Sequence, residues 1–387
     1  MYGAPVTPLP GPSRLRRTLG ALGPRRTASG VVLVVAAVTL AACGSTRAAS
    51  GPPVRSGPPV RTVPAGAHAS APTTGSRDVA GLAWDVPVQV TPASALDQVS
   101  CTSTSFCMAV DAQGSAYRFD GSTWSPAAPL SGSAAAGGST TGGSGVRTGG
   151  AGTSANGTPG VSCATPTFCV ALSGQSNVVQ WDGTAWSAAE QVGGAASLQA
   201  VSCASTTFCV AMDGIGDGYA YEGSTWTGPT NAYGGSSDVS CVSPSFCMSA
   251  SGGPSEWNGD GWTQPGSQDG QAELISVSCA STTFCVAGDS AGNVLTWNGT
   301  AWTGPTRVDQ PSGGAGAVKI ESISCTSATF CVAADSAGRL LDWNGTRWST
   351  PVSLSGGASF ASVSCVSTTF CVAVTTTGSA VVGRART

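Results

Sequence analysis

Fourteen of the 15 cysteines form seven pairs with five residues between partners: Cys101/Cys107, Cys163/Cys169, Cys203/Cys209, Cys241/Cys247, Cys279/Cys285, Cys325/Cys331 and Cys365/Cys371. Thiols at a regular spacing can bind a soft metal, cycle electrons or cross-link the chain. Zinc sites favour shorter spacings and often recruit histidine, and these copies contain none. Redox centres favour Cys-x-x-Cys and a nearby basic group that lowers the thiol pKa, and neither accompanies the pairs. That leaves cross-linking. Local pairing within each copy is the simplest of the many connectivities open, and a loop this small contributes about 2 kcal/mol per bridge by restricting the unfolded chain. The expected metal and cofactor content is none.

The elements that position these pairs follow from the repeat. Val201-Ser202-Cys203-Ala204-Ser205-Thr206-Thr207-Phe208-Cys209-Val210-Ala211 is one of seven copies, whose starts lie 38 to 46 residues apart except for one gap of 62. Each continues with an alternating apolar run, a large side chain, a tight turn and a Trp, as in Val294-Leu295-Thr296-Trp297-Asn298-Gly299-Thr300-Ala301-Trp302. Asn-Gly and Asp-Gly favour the positive φ of hairpin turns, so each copy reads as strand, hairpin, strand. A period near 40 made only of strands matches one four-stranded blade of a β-propeller.

Register sharpens this. From second cysteine to second Trp is 17 residues in five of six copies, and the seventh copy would need its Trp at position 388. Trp84 stands ahead of the first copy, 17 residues before Cys101, which is the spacing of Trp186 to Cys203, Trp262 to Cys279 and Trp348 to Cys365. Trp84 is therefore expected to supply the outer strand of blade seven, beside the C-terminal strand near Val381. The arrangement resembles WD40-type propellers, in which an N-terminal strand completes the last blade; pairing the ends removes exposed edges, which an open solenoid would retain. The expected fold class is all-β: a seven-bladed β-propeller of four-stranded blades, closed by its N-terminal strand, with one intra-blade disulfide per blade.

With strands running outward from the axis, the cystine hairpins and the Asn-Gly turns share one face. The other connections form a second face, which varies more between copies. It carries Asp111, Asp213, Asp217, Asp289 and Asp335, the candidate ligand-face residues, and an insertion at 131–160. Asp213-Gly214-Ile215-Gly216-Asp217-Gly218 lacks EF-hand spacing and reads as a turn. Asp289 and Asp335 resemble the Asp-box of sialidase-like propellers but without its Ser-x-Asp-x-Gly-x-x-Trp order, so they too read as turn residues.

The first 42 residues read as a signal peptide, Arg-rich to Arg26 and then uncharged to Ala42, with an apolar run too short to span a bilayer. Leu40-Ala41-Ala42-Cys43-Gly44 resembles the bacterial lipobox, which implies lipidation of Cys43; each buried methylene of an acyl chain contributes about 0.8 kcal/mol. Arg16-Arg17 resembles a twin-arginine signal, with the general secretory route favoured. Residues 43–79 contain Ser50-Gly51-Pro52-Pro53-Val54-Arg55 repeated at 56–61 and read as a tether, with 80–387 as the propeller. His68, the only histidine, lies in that tether and is not expected to be catalytic.

Of the 17 basic and 20 acidic side chains, nine and one precede Ala80, which leaves the repeats at about −11. Nucleic acid is not an expected partner. Glycosidases need paired carboxylates and sialidases an arginine cluster, whereas Arg118, Arg147, Arg307, Arg339, Arg347, Arg384, Arg386 and Lys319 are scattered. The phrase Ser-Cys-x-Ser-x-x-Phe-Cys-Val-Ala is similar to repeats in uncharacterised exported proteins of high-GC Gram-positive bacteria, a resemblance that implies no activity. The expected protein is a monomeric, lipid-anchored, non-enzymatic binding or scaffold module facing outside the cytoplasm at the cell membrane. Its partner would be an envelope protein or glycan. The alternative is a propeller glycosidase or lyase acting on an envelope glycan.

Overall fold

The computed structural model describes residues 78–386 apart from 131–159, 236, 251–252, 267–271 and 310–317. Cys43, residues 1–77 and most of the 131–160 insertion lie outside the described residues. Each repeat folds as one antiparallel sheet. In the third, Leu198–Ser205, Phe208–Asp213, Asp217–Tyr221 and Trp226–Asn231 pair in sequence order, with Cys203 opposite Cys209.

All seven cysteine pairs are bridged within their own blade, as expected. Cys101 joins Cys107, Cys163 joins Cys169, Cys203 joins Cys209, Cys241 joins Cys247, Cys279 joins Cys285, Cys325 joins Cys331 and Cys365 joins Cys371, with Cα atoms 3.9–4.0 Å apart. The second cysteine of each pair, namely Cys107, Cys169, Cys209, Cys247, Cys285, Cys331 and Cys371, is fully buried, because the second strand of a blade is covered by the neighbouring sheets. Burial shields these sulfurs from an attacking thiolate, which suits a structural cystine.

The repeated Ser/Thr residues hold the turns. In every cystine hairpin, the N–H of the last loop residue donates to the hydroxyl two positions earlier, as from Thr207 to Ser205 Oγ at 3.2 Å. On the same face, Asp120, Asp182, Asn258, Asn298 and Asn344 each accept backbone N–H groups two and three residues on. The glycine after Asn298 takes φ 95°, a left-handed conformation that favours glycine.

Apolar side chains pack between neighbouring sheets. The Phe that precedes each second cysteine enters the aromatic pair of the following sheet: Phe168 meets Tyr221 and Trp226, Phe208 meets Trp257 and Trp262, and Phe246 meets Trp297 and Trp302. The two rings of each pair lie 5.2–5.9 Å apart and tilted, an arrangement that suits aromatic quadrupoles. The seventh sheet has Gly383 in place of the first ring. A Cβ there would lie 2.7 Å from the Trp84 indole, so glycine makes room for it.

The ring closes as expected. Leu82–Trp84 pairs with Ser379–Ala385 in the seventh sheet, Trp84 opposite Gly383, two residues beyond the anticipated neighbour Val381. Asp78–Val79, at the start of the described residues, adds a further edge strand beside Leu82–Trp84. Around the axis, the backbone N–H of the first cysteine in each blade donates to the serine before the corresponding cysteine of the preceding blade. Cys163 donates to Ser100, Cys203 to Ser162, Cys241 to Ser202, Cys279 to Ser240, Cys325 to Ser278 and Cys365 to Ser324, all at 2.9–3.0 Å. Cys101 donates to Ser364 at 3.0 Å and completes the circle. The chain is an all-β, seven-bladed propeller.

Candidate interaction face

Four of the five candidate carboxylates lie where the second strand ends, and there they face inward. Asp111, Asp213, Asp289 and Asp335 are buried. Asp111 Oδ1 accepts from Gln113 and Ser115 N–H, and Oδ2 from the Tyr117 hydroxyl. Asp213 Oδ1 accepts from the N–H groups of Ile215, Gly216 and Asp217, and Oδ2 from Ala196 N–H and the Tyr219 hydroxyl. Asp289 binds Ala291 and Asn293. These bonds fold the turn and fix a side chain of the third strand, its third residue for Asp111 and Asp213 and its first for Asp289, as expected of a carboxylate surrounded by orphan amides. Burial pushes the Tyr117 and Tyr219 hydroxyls above their ordinary value, and the neighbouring aspartates add to it.

Asp335 belongs to a buried charged group. Arg339 Nε donates to its Oδ2 at 2.6 Å, and Nη2 donates to both oxygens of Asp309 at 2.6 Å. The Asp335 carboxyl lies above its ordinary value, chiefly because it is buried and also because of the neighbouring Asp309, with Arg339 opposing both. Asp309 comes from the blade before Arg339, thirty residues earlier, and nothing in the repeat pattern pairs them.

The inner strands spend their polar groups in the same way. Gln98 Oε1 accepts Val161 N–H at 2.6 Å, Ser322 Oγ accepts Val363 N–H at 3.1 Å, and Asp238 Oδ2 accepts Val277 N–H at 3.0 Å. Burial raises Asp238 to about 7 against the pull of the Val277 and Val239 N–H groups that its two oxygens accept.

The fifth candidate, Asp217, stays half-buried at the base of a different feature. Ile215 and Tyr233 are 67% and 55% exposed and belong to adjoining loops of the third blade. Those loops meet backbone to backbone: a Cβ on Gly216 would lie 2.5 Å from Gly234, and one on Gly235 would lie 2.4 Å from the Gly214 carbonyl. Ala232 N–H donates to the Gly216 carbonyl at 2.7 Å. Tyr233 takes φ 65°, which costs a non-glycine residue about 1–2 kcal/mol, and its N–H donates to Asn231 Oδ1 at 2.9 Å. The result is a rigid support that holds an aliphatic and an aromatic side chain in solvent. Sequence reasoning named Asp213 and Asp217 and passed over Ile215 and Tyr233, because exposure depends on how the two glycine-bearing loops nest.

No protein-family model matches the chain, and no curated protein matches it in sequence. Its fold is shared with solved propellers. A structure of YCF48 bound to a D1 peptide superposes with a TM-score of 0.56 at 15% identity, over 77% of this chain and 96% of that one. U3-55K gives 0.62 at 10% over 77% and 98%. The WD40 β-propeller domain of Doa1 gives 0.57 at 11% over 78% and 97%. The chain is thus a WD40-like propeller in architecture.

Proposed function

We propose that this chain is a non-catalytic, extracytoplasmic binding module, anchored to a membrane by lipid on Cys43, that engages a protein partner through the loop face around Ile215 and Tyr233. The observation that carries the reading is the strained but well-supported Tyr233, exposed beside Ile215 on a face whose other carboxylates are consumed by turns. Binding interfaces concentrate their energy in such preorganised aromatic and aliphatic anchors. The peptide complex of the structurally similar YCF48 supports a protein ligand. Asp309 and Asp335, the two carboxylates that Arg339 brings together, are buried and held by that guanidinium, an arrangement that does not favour glycoside hydrolysis.

The test is an envelope pull-down with the full chain and with Ile215→Ser/Tyr233→Ser. A partner held by the wild type should be weakened at least tenfold by the double variant and unaffected by Ser290→Ala, on another loop of the same face. Equal retention by both variants refutes the face. Anchoring is tested separately by intact mass, since Cys43→Ser should abolish an acyl mass increment, and an unmodified wild-type chain would overturn that part.

A further inference from the structure

The rim of blade two, on the cystine face, carries a feature that the proposed loop face does not use. Trp181 and Trp186 are half-buried, their ring centroids 5.6 Å apart at 55°. A groove lies on each side of the pair. One, of about 370 Å³, runs between blades one and two and is lined by Met108, Arg118, Pro126 and both Trp rings among others. The second, of about 390 Å³, is bounded by the same two rings with Phe168, Gln180 and Asp182. In blades four and five the equivalent Trp pairs are buried, whereas Trp343 and Trp348 of blade six are half-buried too; what marks the blade-two pair is the groove on either side of it, with Arg118 on one and Asp182 on the other.

The polar groups around the pair divide into spent and unspent. Ser125 Oγ accepts Arg118 N–H and donates to the Pro126 carbonyl, and Thr184 Oγ donates to Asp182 Oδ1. Asp182 Oδ1 also takes both turn amides, which leaves Oδ2 open, and those turn bonds hold its carboxyl below the usual range. Among the described residues, the four ion pairs leave Arg118 without a carboxylate. One aromatic surface therefore has an unpaired donor group on one side and a charged acceptor on the other.

We infer that the Trp181–Trp186 rim is a binding site for a neutral polysaccharide, whose sugar rings stack on the two indoles while Arg118 and Asp182 Oδ2 take hydroxyl groups at their edges. A pyranose offers an apolar C–H face and a rim of groups that both donate and accept, which matches an aromatic platform flanked by one donor and one acceptor. A polyanion would meet Asp182 and a domain charge near −11. A peptide adding as a strand would need a free edge, but residues 187–189 are irregular and Ser187 N–H is already bonded to the Gln180 carbonyl at 2.8 Å, while a proline-rich peptide, which needs only an aromatic groove, is a rival for the test below.

Affinity electrophoresis of the purified full chain in native gels tests this, with dextran, galactomannan, arabinogalactan and a soluble β-glucan as neutral probes, and polygalacturonate and a proline-rich peptide as rivals. At least one neutral polymer should retard the chain. Trp186→Ala should weaken that retardation at least tenfold, and Trp348→Ala, its counterpart in blade six, should leave it unchanged. Asp182→Asn keeps the turn acceptor that Asn258, Asn298 and Asn344 supply elsewhere, so a severalfold loss in that variant reports Oδ2 rather than folding. Arg118→Ala, on an exposed side chain, gives the same readout should Trp186→Ala fail to fold. The inference is overturned if no neutral polymer retards the chain, if polygalacturonate or the peptide does so more strongly, or if Trp348→Ala is as damaging as Trp186→Ala.

Discussion

Replacing Trp84 by alanine tests the ring closure directly. Trp84 is 4% exposed and packs against Phe330, Val332, Leu340, Leu354 and Phe360, and its Nε1 donates to the Val79 carbonyl at 3.2 Å. Removing a buried Trp costs about 3–5 kcal/mol. Over the roughly 310 residues from Asp78 on, an unfolding entropy of about 2.1 cal/mol/K per residue converts this to a fall in Tm of about 5–8 °C. Trp348→Ala removes a half-buried ring at the equivalent place in blade six and should cost about half as much. Gly383→Ala keeps Trp84 but puts a carbon 2.7 Å from its ring, and overpacking of that kind costs about 1–3 kcal/mol. Calorimetry under non-reducing conditions reads all three without relying on tryptophan emission. A Trp84→Ala melt no lower than that of Trp348→Ala would refute the idea that the N-terminal strand clasps the ring, whatever the blades themselves do.

Three further outcomes are expected. Ser202→Ala leaves the Cys241 N–H without its acceptor and should cost about 1–2 kcal/mol, seen as a lower Tm and faster hydrogen exchange at Cys241. Between 3.8 and about 7 the native state keeps a proton on Asp238 that the unfolded chain has released, so this group favours the fold increasingly as pH falls through that window. Asp238→Asn, which gives up one of two backbone acceptors, should be less stable than wild type at pH 5 and gain on it as pH rises to 8 in melts across that range. Asp213→Ala removes five bonds from one buried carboxylate and should cost at least about 3 kcal/mol while opening residues 214–216 to limited proteolysis, a change that Asp217→Ala should not reproduce.

The frame was legible because its parts recur. A 17-residue spacing placed Trp84 within two residues of its partner, and the paired cysteines announced seven cystines because five intervening residues suit a hairpin with a two-residue turn. The serine before each first cysteine was equally visible in all seven copies, yet its partner lies one blade away, a contact that follows only from the curvature of the closed ring. Gly383 was overlooked for the opposite reason: it breaks the pattern, and its purpose appears only once Trp84 arrives from the other end of the chain. Arg339 with Asp309, and Ile215 with Tyr233, have no counterparts among the described residues of other copies, and long-range loop packing set both.

The two faces of the ring differ in how far their side chains vary from blade to blade. On the cystine face the Ser/Thr turns, the bridges and the Phe-to-aromatic contacts are nearly invariant from blade to blade, and with the inner serine links they form a continuous circuit. On the loop face, one turn-capping position takes partners that vary between blades: the Tyr117 hydroxyl for Asp111, the Tyr219 hydroxyl for Asp213, the Asn293 amide for Asp289 and the Arg339 guanidinium for Asp335, while Thr375 Oγ1 accepts the Ser379 backbone N–H. Because the cap stabilises its turn through backbone amides, the neighbouring side chains can change without opening the ring. The Tyr233 loop takes this furthest. A conformational cost of about 1–2 kcal/mol is tolerable there because seven inter-blade serine bonds and seven cystines hold the frame independently of that loop.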